Sequence, residues 1–366
     1  MISSTKDLEK FLRNNDFKNI FILCGEKSFT ISGASNFIKE LQLNKRIKIY
    51  YKKSYVPIIE ELITITDQIR HFNPDLILAI GGGAVIDYAK IANIVDTNLN
   101  LEELIVNYSY PYKNKFTKLA VIPTTAGSGA EVTSNAVIYV NGIKHSFESN
   151  ILIPDFYFLI PQFIKTAPIK IKASAGFDAI AQSLESLVSK KSNDKSVKFA
   201  SESLVISLNH FISYLHKPNI HNSTQMSMAA NLAGKAINVS KTTAPHAASY
   251  PFSSLFGLGH GHAVSLFFEN FFRFNYENIS NSKTNFDLSN RFELIFKIFK
   301  FKNINGLNLE ISKIKKEAKL EDNLSKLNID VKKNSKEIMN GINILRMSNN
   351  PVEVTRDKII KIITGN

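Results

Sequence analysis

The sequence predicts an α/β amino-terminal domain over residues 1–160, followed by an all-α domain over residues 161–366. Two observations support this fold class. In the first domain, short apolar runs alternate with segments in which apolar residues recur every three or four positions, as in a helix. This alternation is the pattern of a parallel sheet covered by helices. In the second domain, helical spacing of the apolar residues dominates. We place the boundary between Asp155 and Pro161, where two prolines flank a short apolar stretch.

The strands and helices of the first domain are expected in the following order. The segments are a strand NIFILC (19–24), a helix SNFIKELQL, a strand RIKIYY, a helix IIEELITITDQIRHF, strands LILAI (76–80) and KLAVIP (118–123), and a hairpin in VTSNAVIYVNGIKHSFES. The hairpin is expected to turn at Asn141-Gly142, because this dipeptide favours a two-residue turn between strands. In the second domain, FDAIAQSLESLVSK, KFASESLVISLNHFISYL and MSMAANLAGKAINVS are expected to be helices.

The length and composition of the chain indicate its number of domains and its cellular compartment. Its 366 residues, 44% of them hydrophobic, suffice for two domains. The sequence has no run of about 18 uncharged apolar residues, so no membrane span is expected. The polar start MISSTKDLEKFLRNND lacks the apolar stretch of a signal peptide. A single cysteine, Cys24, excludes an internal disulfide and fits a reducing cytoplasm. We therefore expect a cytoplasmic protein without a membrane partner.

The net charge of +13 raises the question of an anionic partner. Much of the lysine lies in the carboxy-terminal third, where it alternates with Glu and Asp as on an exposed helix face. An RNP-like, zinc-finger or basic-zipper pattern is missing from the sequence, so nucleic acid is not expected as a partner. An anionic small molecule stays compatible with the charge.

The end of the first strand bears on the choice of cofactor. The strand ends at Gly25, and Lys27 and Ser28 follow. In nucleotide-binding sheets this turn faces the adenosine ribose, where NAD enzymes place a carboxylate on the 2′-hydroxyl. Lys27 and Ser28 suit a 2′-phosphate, so NADP(H) is favoured over NAD(H). Glu26 keeps NAD(H) open, because a register shift of one residue would restore a carboxylate.

A glycine run in LILAIGGGAVIDYAK (76–90) follows a buried strand and precedes a helix. Glycines let the backbone approach a phosphate closely. The helix amino terminus then offers free N–H groups and a positive dipole end to a pyrophosphate. The run does not match the GxGxxG fingerprint of Rossmann domains. A tight turn between strand and helix, without a ligand, is the alternative.

A loop of small and hydroxyl residues follows the next strand, in VIPTTAGSGAEVTSNAVI (121–138). Its hydroxyl groups can donate to a phosphate or to a nicotinamide amide, and Gly127 and Gly129 allow close approach. The hydroxyl residues are Thr124, Thr125, Ser128 and Thr133. An ordinary turn rich in Thr and Ser is the alternative.

The second domain carries a candidate metal site. Asp178 and Gln182 are four residues apart on an expected helix, so both side chains lie on one face. His246 and His260 are separated by 14 positions, and His262 follows closely. Imidazole and carboxylate ligands suit zinc or iron(II). The alternative for each histidine taken alone is a hydrogen-bonded core residue.

The order of these motifs resembles the iron-containing (group III) alcohol dehydrogenase family. The segments GGGAVIDYAK, PTTAGSGAEVT, AGFDAIAQSLES and PHAASYP…GHGHAV carry the resemblance, which extends from about residue 19 to RMSNNPV. It implies a dehydroquinate synthase-like architecture, with a nicotinamide-binding α/β domain, a helical metal-binding domain and a site in the cleft between them. It also implies an NAD(P)-dependent alcohol dehydrogenase with a divalent metal, for which iron(II) is favoured and zinc is the alternative. A homodimer is expected because dimers are common for this kind of fold.

The resemblance also assigns roles to individual residues. The cofactor contacts fall on Gly82, Gly83, Ala84, Asp87, Thr124, Thr125, Ser128, Thr133, Asn135 and Lys144. Three metal ligands fall on Asp178, His246 and His260. The family's first histidine ligand falls on Gln182, and a histidine usual near the nicotinamide falls on Tyr250. Because an amide oxygen is a weaker ligand than imidazole, a lower-affinity metal site is expected, with a metal-free or altered enzyme as the alternative.

Within the family, the segment KTTAPHAASYPFSSLFGLGHGHAV resembles phosphonoacetaldehyde reductases. Those enzymes reduce a phosphonate-bearing aldehyde to 2-hydroxyethylphosphonate. Lys241, Ser249, Ser253 and His262 are the candidates for holding the anionic tail, and His262 is also the candidate catalytic proton relay. A reductase of another small aldehyde is the alternative within the same class. Two further alternatives differ in class: a dehydroquinate-synthase-like lyase, and a non-catalytic binding protein on the same fold. The neutral PTTAGSGAEVT loop favours a dehydrogenase over the lyase.

Overall fold

The computed structural model describes residues 2–96, 100–107 and 114–364. The chain forms two compact units. The first comprises Met1–Ala167 and Pro218–Asn231, and the second comprises Pro168–Lys217 and Leu232–Asn366. The boundary expected between Asp155 and Pro161 falls inside the first segment of the first unit. No sequence signal marks the return of Pro218–Asn231 to the first unit, because helical spacing continues through it.

The first unit contains a parallel sheet, a hairpin and surrounding helices. Its strands are β1 (Asn19–Gly25), β2 (Arg46–Lys52), β3 (Leu76–Gly81), β4 (Lys118–Pro123), β5 (Asn135–Val140), β6 (Ile143–Glu148) and β7 (Phe156–Tyr157). Its helices are α1 (Thr5–Asn14), α2 (Glu26–Ile31), α3 (Ala34–Glu40), α4 (Ile59–Phe72), α5 (Gly83–Ala92), α6 (Leu101–Val106) and α7 (Pro161–Lys165). The predicted α/β class of this part of the chain is confirmed.

The parallel sheet has the strand order β2-β1-β3-β4-β7. Successive residues of a strand point to opposite faces, and both faces of this sheet are buried. Phe21 and Ile77 pack into the apolar core on one face, whereas Ile22 and Leu78 pack into the core on the other. This two-sided burial explains why the central strands read as continuous apolar runs.

The strand order reverses between β1 and β3. From β1 the chain passes to β2 on one side and then to β3 on the other. The carboxyl ends of β1 and β3, at Gly25 and Gly81, therefore lie at the position where open parallel sheets bind their ligands.

Strands β5 and β6 form the predicted antiparallel hairpin. Asn141 and Gly142 have φ angles of 50° and 76°. Both values lie in the left-handed region that a two-residue turn of this kind requires, and Asn and Gly tolerate that region best. The expected turn at Asn141-Gly142 is confirmed.

The second unit is helical. After α8 (Ile169–Val188) and α9 (Asp194–His216), α10 (Ile220–Ser240) begins in the segment that belongs to the first unit. The further helices are α11 (Ala244–Phe256), α12 (His260–Ser265), α13 (Phe268–Glu277), α14 (Leu288–Phe299), α15 (Ile304–Glu317), α16 (Ser335–Gly341), α17 (Ile344–Met347) and α18 (Arg356–Thr364). In the described part of the chain, none of these helices combines the length and apolarity needed to cross a bilayer.

Candidate metal centre and cofactor site

Helix α8 presents three buried polar side chains on one face. Asp178, Gln182 and Glu185 are 4%, 3% and 0% exposed. Their spacing of four and then three residues places them above one another along the helix. Buried carboxylates are costly unless they are paired or bind a cation, so this stripe requires partners from neighbouring helices.

Helix α11 supplies the first partner, His246. Pro245 lies in the first turn of α11, as expected for proline at a helix start. The ring of His246 lies between two carboxylates: Nδ1 is 2.6 Å from Oε1 of Glu185, and Nε2 is 3.1 Å from Oδ1 of Asp178. Burial alone would lower the pKa of His246, but Glu185 and Asp178 raise it to about 9.

Helix α12 supplies the second histidine, His260, which is the first residue of this helix. Gly261 allows the close approach of α12 to α8: a Cβ at this position would lie 1.9 Å from the carbonyl oxygen of Ser174 and 2.9 Å from Cβ of Asp178. Nε2 of His260 is 3.9 Å from Oδ1 of Asp178. The rings of His246 and His260 are 5.2 Å apart, at 72° to each other.

The three residues together have the spacing of a metal site. One ligand atom from each of Asp178, His246 and His260 lies within 4.8 Å of the other two. Ligands that bind one ion at about 2.1 Å lie roughly 3–4 Å apart, so a small contraction closes the set. Burial opposes the ionisation of Asp178, but His260 and His246 lower the pKa of its carboxyl below the ordinary value.

Gln182 adds a fourth donor atom. Its Nε2 donates to Oδ2 of Asp178 at 3.1 Å. Its Oε1 is buried and makes no hydrogen bond within the residues described. Leaving such an oxygen unsatisfied costs about 1–3 kcal/mol, and a cation beside Asp178 would satisfy it. A carboxylate, two imidazoles and an amide oxygen fit iron(II) or zinc.

Glu185 is a site residue that the sequence analysis missed. Its carboxylate also accepts from the main-chain N–H and from Oγ1 of Thr243, the latter at 3.0 Å. A carboxylate on the second ring nitrogen of a ligand histidine fixes the tautomer and the ring orientation. The available signal was its position in AGFDAIAQSLES, seven residues after Asp178 and therefore on the same helix face.

His262 has partners of its own. Its ring Nε2 is 2.7 Å from the carbonyl oxygen of Glu321. Its main-chain N–H donates to Oγ of Ser174 at 3.2 Å, which ties it to α8. The proton-relay role of His262 therefore stays a prediction.

The other residues considered for an anionic tail differ in their surroundings. Nζ of Lys241 donates to the carbonyl oxygen of Asn238 at 3.2 Å. Oγ of Ser249 donates to the carbonyl oxygen of His246 at 2.8 Å. Oγ of Ser253 is buried and makes no hydrogen bond in the described part of the chain. Ser253 is thus the candidate whose hydroxyl is available for a ligand.

The glycine turn and the hydroxyl loop of the first unit lie side by side. Gly82 is the N-cap of α5, and Gly83 is its first residue, followed by the half-buried Ala84. A Cβ on Gly82 would lie 3.3 Å from Oγ1 of Thr125, and a Cβ on Gly83 would lie 3.0 Å from Oγ of Ser128. The start of α5, with its free N–H groups, therefore lies next to two loop hydroxyls, and both kinds of group can donate to a pyrophosphate.

Thr124 is a second buried residue with an unsatisfied group. It is 3% exposed, and its Oγ1 makes no hydrogen bond among the described residues. Its main-chain N–H donates to the carbonyl oxygen of Gly81 at 3.0 Å, which joins the end of β4 to the end of β3. A nucleotide at the carboxyl ends of these strands would supply a partner for the hydroxyl.

Lys90, which the sequence analysis did not single out, holds the loop to α5. Its buried ammonium donates to the carbonyl oxygen of Thr133 at 2.8 Å, to Oγ1 of Thr133 at 3.1 Å and to the carbonyl oxygen of Asn135 at 3.1 Å. An ammonium has three donors, and these acceptors match them. The predicted cofactor contacts of Thr133 and Asn135 remain predictions.

Asp87 lies one turn before Lys90 on α5. It accepts a hydrogen bond from the main-chain N–H of Val137 and lies near Lys90 and Lys144. Burial is the largest influence and raises the pKa of Asp87 to about 6, although both lysines act in the opposite direction. The hairpin that carries Lys144 is thus joined electrostatically to the helix that begins at the glycine turn.

The residues expected at the adenosine ribose lie where β1 gives way to α2. Oγ of Ser28 donates to the carbonyl oxygen of Gly25 at 3.0 Å. Lys27 is exposed on the first turn of α2, next to Glu26. The geometry provides both a cation and a carboxylate at this edge of the sheet, so the preference for NADP(H) stays a prediction.

Curated relatives share part of the chain's length. A 4-hydroxybutyrate dehydrogenase of Clostridium kluyveri is 33% identical over 214 residues, which is 57% of this chain and 56% of that protein. A 1-propanol dehydrogenase, PduQ, of Citrobacter freundii is 28% identical over 279 residues, which is 74% of this chain and 69% of that protein. The first of these matches thus spans little more than half of the relative's length.

Solved structures share the fold over the whole length. A sulfoacetaldehyde reductase from Bifidobacterium kashiwanohense, in complex with NAD+, has a TM-score of 0.85 at 22% identity, covering 99% of this chain and 94% of that one. An iron-containing alcohol dehydrogenase from Thermococcus thioreducens has a TM-score of 0.85 at 21% identity, covering 100% and 96%. At these identities the likeness shows the fold alone.

Family models account for nearly all of the chain. The model described as iron-containing alcohol dehydrogenase matches residues 3–161. The model described as the carboxy-terminal part of the Fe-containing alcohol dehydrogenase family matches residues 172–366. With its α/β unit, its helical unit and its Asp178–His246–His260 cluster, this chain belongs to the iron-containing alcohol dehydrogenase family.

Proposed function

We propose that this chain catalyses the nicotinamide-linked reduction of a small aldehyde to its alcohol, and the reverse oxidation. The observation that carries the proposal is the buried cluster of Asp178, His246 and His260, with the unsatisfied amide oxygen of Gln182 beside it. A divalent ion on these residues would supply Lewis acidity toward the substrate oxygen, with iron(II) favoured over zinc. Hydride chemistry belongs to the nicotinamide.

The protein's own groups prepare this chemistry. Glu185 accepts the Nδ1–H of His246 and so leaves Nε2, which lies beside Asp178, as the ring atom that would bind the metal once its proton is lost. The start of α5 and the loop hydroxyls of Thr125 and Ser128 would hold the pyrophosphate, and Thr124, whose Oγ1 has no partner among the described residues, would donate to it. His262, or a water in its place, is the proposed proton relay to the alkoxide formed in reduction.

The proposal extends to a substrate and a cofactor. We propose phosphonoacetaldehyde, reduced to 2-hydroxyethylphosphonate with NADPH. Three features support it: the likeness of residues 241–264 to phosphonoacetaldehyde reductases, the net charge of +13, and the exposed Lys27 after Gly25. The names of two proteins similar to this chain, a 4-hydroxybutyrate dehydrogenase and a sulfoacetaldehyde reductase, also refer to anionic compounds.

A cytoplasmic location and a homodimer are proposed from the sequence alone. Sedimentation velocity tests the dimer.

A panel of aldehydes, assayed with NADPH and with NADH, tests this function. The purified protein is given phosphonoacetaldehyde, acetaldehyde and lactaldehyde, and cofactor oxidation is followed at 340 nm. We expect the highest kcat/KM with phosphonoacetaldehyde and NADPH. Equal rates with acetaldehyde would end the substrate proposal, higher rates with NADH would end the cofactor proposal, and no oxidation with any aldehyde would end the proposed function.

A further inference from the structure

The face of α11 that carries a metal ligand continues with further polar side chains. Ser249, Tyr250 and Ser253 lie three, four and seven residues after His246, so the four residues share one helix face. Along the helix axis, Tyr250 lies about 6 Å and Ser253 roughly 10 Å beyond His246. A substrate whose oxygen lies at the metal position would extend along this face.

Ser253 contributes a buried hydroxyl to this face. It is 7% exposed, and its Oγ makes no hydrogen bond within the described ranges. Ser249, one turn earlier, differs because its Oγ donates to the carbonyl oxygen of His246 at 2.8 Å. A buried, unpaired hydroxyl costs about 1–3 kcal/mol, and a ligand that accepts from Ser253 would remove this cost.

Tyr250 connects the same face to a buried arginine. Its ring lies 6.1 Å from the ring of His260, and its hydroxyl is hydrogen-bonded to Arg346. Arg346 is 9% exposed. A guanidinium is therefore buried one side chain away from a metal-ligand histidine.

The position of Arg346 is fixed by the start of α17. Asn343 accepts a hydrogen bond from the main-chain N–H of Arg346 at 2.9 Å and so caps this short helix. The main-chain N–H of Asn343 donates to the carbonyl oxygen of Ala247, at 3.3 Å, which attaches α17 to α11. The guanidinium is thus held against the helix that carries His246 and Ser253.

We propose that Arg346, Tyr250 and Ser253 form a subsite for the anionic tail of the substrate. The substrate class is then an aldehyde that bears a phosphonate, sulfonate or carboxylate group. Guanidinium groups bind such groups through paired, charge-assisted hydrogen bonds, Tyr250 orients Arg346, and Ser253 donates its hydroxyl. This inference rests on the proposed function, and it names the class of substrate that the same site would select.

A different role for Arg346 makes a different prediction. If the guanidinium only balances the buried carboxylates of Asp178 and Glu185, its removal changes the reaction of every aldehyde alike. If it binds the tail, its removal changes the reaction of anionic aldehydes far more than that of neutral ones. The ratio between the two substrate classes therefore separates the roles.

The experiment compares four-carbon aldehydes that differ in the tail. The ratio of kcat/KM for succinate semialdehyde to that for butanal is measured in the wild type and in Arg346→Met, Arg346→Lys, Tyr250→Phe and Ser253→Ala. Phosphonoacetaldehyde and sulfoacetaldehyde serve as further arms that identify the preferred anion. Arg273→Met, at an arginine of the same unit whose side chain is 41% exposed, controls for the loss of one positive charge.

A binding measurement provides a readout that is independent of turnover. Calorimetry gives the Kd of 2-hydroxyethylphosphonate for the metal-free wild type and for each variant. We expect Arg346→Met to lower the kcat/KM ratio and to weaken this binding by about 10- to 100-fold, the loss of one charged hydrogen bond. Arg346→Lys should recover part of both, Ser253→Ala should lose about threefold to tenfold, and Arg273→Met should match the wild type.

The possible outcomes are distinguishable. An unchanged ratio and an unchanged Kd in both Arg346→Met and Ser253→Ala would overturn the subsite. If circular dichroism shows that Arg346→Met does not fold, Ser253→Ala decides, because its hydroxyl has no partner to lose in the described part of the chain. A wild type that reduces neither anionic nor neutral aldehydes overturns the proposed function instead, whatever the variants bind.

Discussion

Gln182 is the position at which this chain departs from the ligand set that its family resemblance implies. Its amide is already oriented, because Nε2 donates to Asp178 and leaves Oε1 buried without a partner among the described residues. The sequence alone predicted a weaker ligand here. The structure adds that the amide nitrogen of Gln182 donates to Asp178, which leaves the amide oxygen to bind a cation.

Replacing Gln182 by histidine should strengthen the metal site. We expect Gln182→His to bind iron(II) or zinc about tenfold more tightly, a gain of about 1.4 kcal/mol, because imidazole is the better ligand. Gln182→Ala, the paired control, should bind more weakly than the wild type. Competition with a chromophoric chelator measures all three, and equal affinities would show that residue 182 does not contact the metal.

Glu185 should matter for metal affinity although it is not expected to touch the metal. We expect Glu185→Gln to weaken metal binding by about 10- to 100-fold, the usual loss when the carboxylate partner of a ligand histidine is removed. Glu269→Gln is the matched control, because Glu269 is a buried carboxylate of the same unit that pairs with Lys315 at 2.7 Å. Equal metal affinity in both variants would contradict the role of Glu185.

Asp87 should make the stability of the cofactor-free protein depend on pH. Its folded-state pKa of about 6 lies above the ordinary value of 3.8, so the folded chain binds this proton more tightly than the unfolded chain. Its contribution to stability is therefore present near pH 4 and is lost as the pH rises through 6. Relative to Asp87→Asn, we expect the wild type to lose on the order of 2 kcal/mol between pH 4 and pH 7.

Urea denaturation at several pH values measures this difference. Asp16→Asn, at an exposed aspartate of the same unit, is the control and should follow the wild type. A stability of the wild type, relative to that of Asp87→Asn, that stays constant or rises from pH 4 to pH 7 would refute the assignment.

At the scale of helices and strands, the geometry of the metal centre depends on how closely α12 approaches α8. The sequence predicted His260 as a metal ligand but not this contact, because a glycine beside a histidine does not reveal which backbone it meets. The structure shows that Gly261 meets the carbonyl oxygen of Ser174. The sequence did predict β3, α5 and the hairpin at Asn141-Gly142, since their signals are local.

A side chain at position 261 should therefore separate the two helices. We expect Gly261→Ala to destabilise the protein by about 1–3 kcal/mol and to weaken metal binding, because His260 moves away from Asp178. Gly257→Asn is the control: Gly257 has a φ of 66° with open space around it, and Asn tolerates that conformation. Thermal unfolding and metal titration measure both variants, and a Gly261→Ala protein equal to the wild type would contradict the packing argument.

Lys90 illustrates what local patterns leave out. Its three acceptors belong to residues 133 and 135, which are more than 40 positions further along the chain. A lysine in a helix is ordinarily expected in solvent, and only the packed structure shows it buried beneath the loop. The assignment of Pro218–Asn231 to the first unit escaped prediction for the same reason, because it depends on tertiary contacts.

At the scale of the whole molecule, the two units divide the chemistry. The first unit carries the glycine turn, the hydroxyl loop and Lys90, and the second carries the four proposed metal ligands. None of these motifs identifies the family when taken alone, since each has an ordinary structural explanation. Their order along 366 residues identified it, and the family models at residues 3–161 and 172–366 confirm it.

Removal of the metal tests the central claim most directly. The protein is stripped with a chelator, its metal content is verified by mass spectrometry, and aldehyde-dependent NADPH oxidation is measured before and after iron(II) or zinc is restored. We expect activity to fall about a hundredfold or more, as the loss of several kcal/mol of charge stabilisation implies, and to return with the metal. Full activity in a protein shown to be metal-free would contradict the account.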